Sequence, residues 1–152
     1  MFLPMSCMQC GNAPCLEVCP TTATFRREDG IVDIDYKLCI GCGYCVVACP
    51  YLARTIMFHD SVVDRQDSEL AGICTKCNFC APRVEAGRER GYQPGIDREA
   101  TPMCVVTCTA NALHFGDLDD VQSNVSRLIR RNKTAHLQEA LGTHPVVTYI
   151  VE

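Results

Sequence analysis

Cysteine is the residue whose number and spacing most directly predict chemistry in this sequence. The chain has 13 cysteines among its 152 residues. Most of them lie two or three residues apart, which suits thiolates that surround a metal and is poor geometry for disulfides between near neighbours. The odd number also argues against a disulfide framework. The cysteines fall into three closely spaced groups, and each group is a candidate set of metal ligands.

The second group along the chain has the sharpest pattern, C-x₂-C-x₂-C-x₃-C-P, formed by Cys39, Cys42, Cys45, Cys49 and Pro50. Bacterial ferredoxins bind [4Fe–4S] clusters with this spacing. The three close thiolates reach three irons of one cluster, and the fourth cysteine binds the other cluster of a pair. Glycines at positions 41 and 43 keep the loop small, so backbone N–H groups can approach the cluster sulfurs. This pattern predicts a pair of clusters.

The first group has the same order, with two extra residues before its third cysteine: Cys7, Cys10, Cys15, Cys19 and Pro20. It completes a pair, because each group needs a fourth ligand from elsewhere. The crossed-ligand rule of ferredoxins then predicts two sets. One cluster is assigned to Cys7, Cys10, Cys15 and Cys49. The next is assigned to Cys39, Cys42, Cys45 and Cys19.

The third group is irregular and consists of Cys74, Cys77, Cys80, Cys104 and Cys108. A Gly-rich polar insertion, residues 86–102, separates its third and fourth cysteines. Five cysteines are one more than a single cluster uses and three fewer than two clusters need. We expect a third cluster here, with Cys74 as an uncertain ligand. A zinc site that uses four of the five cysteines is the alternative.

Short elements are predicted to hold these groups. Asp29-Gly30 is a turn signal inside residues 23–35 and predicts a β-hairpin between the first two groups. A helix is predicted from apolar residues at helical spacing, acids before them and bases after them. The apolar residues are Val121, Val125, Leu128 and Ile129; the acids are Asp117, Asp119 and Asp120; the bases are Arg130, Arg131 and Lys133. Residues 146–151 predict a last strand or a segment docked on a partner.

Composition excludes several classes of protein. The net charge is −4 and the basic residues are scattered, which disfavours a nucleic-acid surface. No apolar run reaches the roughly 18 residues of a membrane helix, and no signal peptide is visible at the N-terminus. The four histidines belong to no common motif and are not expected to bind a metal: His59, His114, His136 and His144.

In its ordered motifs, the sequence resembles the iron–sulfur electron-transfer (beta) subunits of the molybdopterin oxidoreductases, the dimethyl sulfoxide reductase superfamily. The resemblance is carried by the cysteine groups, residues 2–4, Arg27-Glu28-Asp29-Gly30, Lys76-Cys77-x₂-Cys80 and residues 114–120. Leu141-Gly142-Thr143 and Tyr149 extend it over nearly the whole chain. Within the family, the sequence is most similar to subunits of the polysulfide, thiosulfate, tetrathionate and sulfite enzymes.

The resemblance implies a working complex. A subunit of this kind docks on a catalytic subunit that carries a molybdenum or tungsten bis-pterin cofactor. It relays electrons between that subunit and a quinone-reactive membrane subunit or a soluble carrier. The complex would be membrane-associated, on the cytoplasmic or periplasmic face, although this chain has no membrane span and no catalytic site of its own.

One departure from the family pattern affects the third group. Members have a further N-terminal cysteine group, absent here, which exchanges fourth ligands with the third group. Cys77, Cys80 and Cys104 would then lack a fourth ligand, and Cys108 would serve a cluster without other ligands. Three explanations stay open. The natural chain starts further upstream, which we favour and which would give four clusters; Cys74 supplies the missing ligand; or the partner does.

The sequence therefore predicts an α+β, ferredoxin-like fold with pseudo-symmetric modules that bind several [4Fe–4S] clusters. Residues 1–60 are expected to form a two-cluster module, residues 61–120 a second cluster-binding region, and residues 121–152 a helix and docking tail. The predicted function is electron transfer between subunits. A diffusible polyferredoxin and a zinc-stabilised interaction module are the alternatives.

Overall fold

The computed structural model describes residues 3–57 and 70–151. Phe2, His59 and the predicted domain boundary after residue 60 lie outside these ranges. The chain divides into two compact units, Met1–Asn78 with Leu137–Val147, and Phe79–His136 with Thr148–Glu152. Short helices and two-stranded antiparallel sheets make up the described residues, so the protein is α+β as predicted.

The first unit contains two short helices and four strands. They are α1 (Pro14–Glu17), β1 (Thr24–Arg26), β2 (Val32–Ile34), α2 (Tyr44–Ala48), β3 (Arg54–Ile56) and β4 (Cys74–Lys76). The two helices contact each other. Pro14 occupies the first position of α1, where its fixed φ suits the helix and its missing N–H costs nothing. Gly43, with φ +78°, precedes α2 in the left-handed conformation that glycine adopts easily.

Both sheets of the first unit are antiparallel pairs. In the β1–β2 hairpin, Thr24 pairs with Ile34 and Arg26 pairs with Val32. Gly30, at φ +83°, makes the turn, so the predicted hairpin is confirmed. In the second sheet, β3 pairs with β4, and Arg54 lies opposite Lys76.

Residues 137–147, which we call the returning segment, also belong to the first unit. The backbone N–H of Gly11 donates to the carbonyl of His144 (2.7 Å), and that of Asn12 donates to Thr143 (3.0 Å). The Tyr51 hydroxyl lies 2.5 Å from Thr143 Oγ1. The returning segment therefore covers the loop that carries the first cysteines of the chain.

The second unit is built from α3 (Ala81–Glu89), a 3₁₀ turn (Arg98–Ala100), α4 (Met103–Val106), α5 (Asn124–Arg131), β5 (Thr134–Ala135) and β6 (Tyr149–Ile150). The predicted insertion at 86–102 is an ordered part of this unit. Gly87 packs so closely on the 3₁₀ turn that an added Cβ would lie 2.6 Å from the Ala100 Cβ. Arg83 donates to the carbonyls of Thr101 (2.8 Å) and Arg98 (2.6 Å).

The predicted late helix and last strand are both present but shorter than expected. Helix α5 begins at Asn124, after Ser123, whose side chain accepts a hydrogen bond from the Ser126 N–H. Val121 therefore lies before the helix, and it is exposed. Strand β6 pairs Tyr149 with Ala135. Among the residues described, no helix has the length and apolar character needed to cross a membrane.

Candidate metal-cluster sites

The first candidate site is a cavity that encloses about 320 Å³ of space, some of it open to solvent. The structure brings together four cysteines around it: Cys7, Cys10, Cys15 and Cys49. Cys15 lies on α1, and Cys49 caps the C-terminal end of α2. The end of the second group thus reaches the cavity of the first, which is the crossed arrangement expected from the spacing.

Burial is the main influence on the thiols of this cavity. It raises the pKa of Cys10, and a hydrogen bond with Thr143 of the returning segment opposes it. Burial also raises the pKa of Cys15, opposed by the charge of Arg54. Burial therefore favours the neutral thiols, whereas a cluster would bind these sulfurs as thiolates.

The second candidate site is a neighbouring cavity of about 330 Å³ in the same unit, again partly open to solvent. Five cysteines line it: Cys19, Cys39, Cys42, Cys45 and Cys74. The first four are the set predicted for the second cluster. Gly41 is required by the packing of its loop, because it has φ +68° and an added Cβ would lie 1.9 Å from the Gly72 carbonyl oxygen.

Cys19 is the sulfur with the clearest support from backbone hydrogen bonds in this cavity. Burial opposes its ionisation, but the Thr24 N–H donates to Cys19 Sγ at 3.4 Å and the Thr21 hydroxyl lies 3.8 Å away. The pKa of Cys19 is lowered as a result. Donors of this kind stabilise negative charge on a ligand sulfur and thereby tune a bound cluster.

Cys74 lies against the second cavity rather than in an open loop. It is 2% exposed, on β4, and its Sγ lies 3.5 Å from Cys45 Sγ. Burial, together with the contact to Cys45, raises its pKa to about 12. The sequence left Cys74 as an alternative ligand of the third cluster, and that assignment stays a prediction.

The third group divides between the two compact units. Cys77 belongs to the first unit, whereas Cys80, Cys104 and Cys108 belong to the second. Cys80 precedes α3, Cys104 lies on α4, and Cys108 follows α4. The N–H of Ala112 donates to Cys108 Sγ at 3.3 Å, and this bond is the main cause of the lowered pKa of Cys108. A third cluster at these residues remains a prediction.

Three polar side chains support the sites, and of these Lys76 alone belongs to a motif quoted from the sequence, Lys76-Cys77-x₂-Cys80. Gln9, which lies between Cys7 and Cys10 in the sequence, is buried, and its Nε2 donates to the Cys77 carbonyl (2.9 Å). Lys76 Nζ donates to the same carbonyl (2.9 Å) and to that of Val32. Burial lowers the pKa of Lys76. The third side chain is Arg54, which lines the first cavity and is 3% exposed.

A zinc site at the third cysteine group is the alternative to a cluster that the sequence leaves open. Within residues 3–57 and 70–151, no three cysteine, histidine or acidic side chains are arranged to hold a single metal ion. In contrast, four cysteines lie around the first cavity and five around the second, drawn from separate sequence groups. The donor set and its arrangement fit a [4Fe–4S] cluster in each cavity.

Comparison with known proteins identifies the class. The family model of the 4Fe–4S dicluster domain matches residues 1–118, and the protein belongs to this family. The iron–sulfur subunit of a putative dimethyl sulfoxide reductase from Halobacterium salinarum is 43% identical to it, over 98% of this chain and 55% of the relative.

Other relatives agree with the resemblance seen in the cysteine order. A polysulfide reductase chain from Wolinella succinogenes is 40% identical over 92% of this chain and 62% of its own length. A tetrathionate reductase subunit from Salmonella typhimurium is 39% identical over 99% of this chain and 52% of its own length. The resemblance to iron–sulfur subunits of such reductases is confirmed. The chain spans little more than half the length of these relatives.

Proposed function

We propose that the chain relays electrons through [4Fe–4S] clusters within an oxidoreductase complex. Its partners would be a molybdenum or tungsten bis-pterin catalytic subunit and a quinone-reactive membrane subunit or soluble carrier. The observation that carries this proposal is that cysteines from separate sequence groups gather around two neighbouring cavities, four around the first and five around the second. The names of the relatives support the setting, since they are subunits of reductases.

The residues of the chain would have distinct tasks in this function. Cys7, Cys10, Cys15 and Cys49 would hold one cluster, and Cys19, Cys39, Cys42 and Cys45 the other. When bound, a [4Fe–4S] cluster takes up and gives back one electron. The protein holds the sulfurs in place, limits access of water, and donates hydrogen bonds to ligand sulfur, as Thr24 does at Cys19. The chain would not itself transform a substrate.

We also propose a third cluster at Cys77, Cys80, Cys104 and Cys108, with an upstream segment, Cys74 or a partner completing its ligands. A fourth cluster would follow if the natural chain carries the missing N-terminal group.

The pseudo-symmetry of the modules is supported by the repeated order of a cysteine loop, a short helix and two strands, which runs through α1–β1–β2 and again through α2–β3–β4.

Metal analysis tests the cluster proposal. The chain is isolated anaerobically, loaded with iron and sulfide, and assayed for both, together with visible absorption. About eight irons with matching sulfide are expected from the two cavities, and about twelve if the third group binds a cluster. Zinc at two or three ions per chain, without visible absorption, would instead support a zinc-stabilised interaction module.

Purification from native cells tests the partnership. A tagged chain is isolated under mild conditions, and molybdenum, tungsten and pterin are measured in the eluate. Co-purification of a pterin-containing protein in fixed ratio is expected, together with fractionation to the membrane on either its cytoplasmic or periplasmic side. A chain that carries iron and sulfide but elutes alone would be a diffusible polyferredoxin.

A further inference from the structure

Arg54 is a buried cation close to both candidate cluster cavities. Its Nη2 donates to Cys15 Sγ at 3.1 Å, and Cys15 lines the first cavity. Its Nη1 donates to Thr24 Oγ1 at 3.1 Å and lies 3.9 Å from Cys74 Sγ. Thr24 and Cys74 line the second cavity. One guanidinium group therefore contacts a predicted ligand of the first cavity and the wall of the second.

The charge of Arg54 has no carboxylate partner in the described part of the chain. By contrast, Arg27 forms an ion pair with Asp29 at the hairpin turn. Burying a cation away from water is costly unless an anion compensates for it. The sulfur atoms are the groups available to do so: burial opposes the charge, but Cys15 and then Cys45 and Cys74 favour it and raise the pKa of Arg54.

We infer that the guanidinium of Arg54 raises the reduction potential of the cluster bound by Cys7, Cys10, Cys15 and Cys49, and raises that of the second cluster less. The inference rests on the proposed function. Reduction adds one negative charge to a cluster, and a nearby buried cation stabilises the more negative state. We expect the larger effect on the first cluster because Arg54 Nη2 lies 3.1 Å from Cys15 Sγ. Cys45, a predicted ligand of the second set, also favours the charge of Arg54, but less than Cys15 does.

Three substitutions separate charge from shape. Arg54→Gln removes the charge and keeps N–H donors, while Arg54→Lys keeps the charge and loses the planar fork. Arg27→Gln is the matched control, because it removes a charge from the hairpin turn. Each full chain is loaded with iron and sulfide, its iron is counted, and its clusters are titrated by electron paramagnetic resonance against ambient potential. A Cys10→Ser variant assigns the two redox waves.

For Arg54→Gln we expect the reduced-to-oxidised ratio of the first cluster to fall at least tenfold at the wild-type midpoint. This corresponds to about 59 mV for one electron. The second cluster should shift by a smaller amount in the same direction. Arg54→Lys and Arg27→Gln should both stay within about threefold of the wild-type ratio, or about 28 mV on the same scale.

The possible results divide clearly. Three results would overturn the inference. The midpoint potential of the first cluster could be unchanged in Arg54→Gln, or that of the second cluster could shift as much or more. The Gln and Lys variants could also shift the first potential equally. Loss of the first cluster from Arg54→Gln would show that Arg54 is needed to hold the cluster rather than to set its potential, and this result would also overturn the inference. If the wild-type chain binds no iron and sulfide after loading, the proposed function itself is refuted.

Discussion

At the scale of the residue, the loop between Cys39 and Cys42 depends on one glycine conformation. Substitution Gly41→Ala places a side chain at φ +68° and against the Gly72 carbonyl oxygen. The left-handed conformation alone costs about 1–2 kcal/mol, and with the steric clash we expect a loss of at least about 3 kcal/mol in the free energy of unfolding. Urea unfolding of the iron-loaded chain, monitored by cluster absorption, measures this.

Gly30→Ala is the control for this prediction. Gly30 has φ +83°, but nothing lies within 4 Å of an added Cβ. Its alanine variant should lose only the conformational part, about 1–2 kcal/mol. Equal losses in the two variants would show that the approach of Gly72 does not constrain the cysteine loop.

Cys74 and Cys45 are neighbours in the second cavity with different expected roles. We predict that Cys74→Ser keeps the full iron content, because four other cysteines already line that cavity. Cys45→Ser should lose up to about four irons, one cluster's share. Iron and sulfide assays on the two variants give the comparison. A similar loss from Cys74→Ser would show instead that Cys74 is a ligand.

The contrast between these cysteines and Arg54 shows which residues a sequence can reveal. Cysteine spacing is local, and with the crossed-ligand rule it predicted the four cysteines around the first cavity and four of the five around the second, but not Cys74. Arg54 and Gln9 act through contacts with residues far along the chain, and a single arginine or glutamine carries no spacing signal. Arg54 lies 39 positions from Cys15 and 20 from Cys74, and only the folded chain brings them together.

At the scale of the element, α5 depends on its N-cap. Ser123 Oγ accepts from the Ser126 N–H at 3.2 Å. Removing an N-cap side chain costs about 1 kcal/mol, so Ser123→Ala should speed hydrogen exchange in the first turn of α5 about fivefold. Ser6→Ala, at an exposed loop position, is the control and should leave α5 unchanged. Exchange is measured by mass spectrometry on peptides from residues 121–131. Exchange rates equal to wild type in both variants would contradict the prediction.

The start of α5 also shows why an element can be predicted while its boundary is not. The acids before it suggested a helix beginning near residue 121. In the structure, the Asp117 carboxylate accepts from the Asp119 N–H (2.9 Å), and that of Asp120 accepts from the Gln122 N–H (2.8 Å). Aspartates that bond to the backbone two residues on stabilise turns rather than helix. The helix therefore starts only after Ser123.

At the scale of the whole molecule, two truncations separate the parts of the C-terminal region. A chain that ends at Val147 lacks β6 but keeps the returning segment, and it should retain about eight irons in the two cavities. A chain that ends at His136 also loses the contacts of Thr143 and His144 with residues 11 and 12. We expect it to lose up to about four irons during gel filtration in air.

The difference between the two truncated chains isolates the returning segment, since both lack β6. Iron counted before and after filtration gives the result. Equal retention by both chains would show that residues 137–147 do not protect the first cavity. Loss from both would place the stabilising contribution in the last residues instead.

The returning segment also sets an order of events during synthesis. All four cysteines of the first cavity have been translated well before Thr143 and His144, whose backbones bond to the loop beside Cys10. While the ribosome is still making the second unit, that loop lacks its cover. The loop beside Cys10 can therefore be covered only after residues 137–147 have been made.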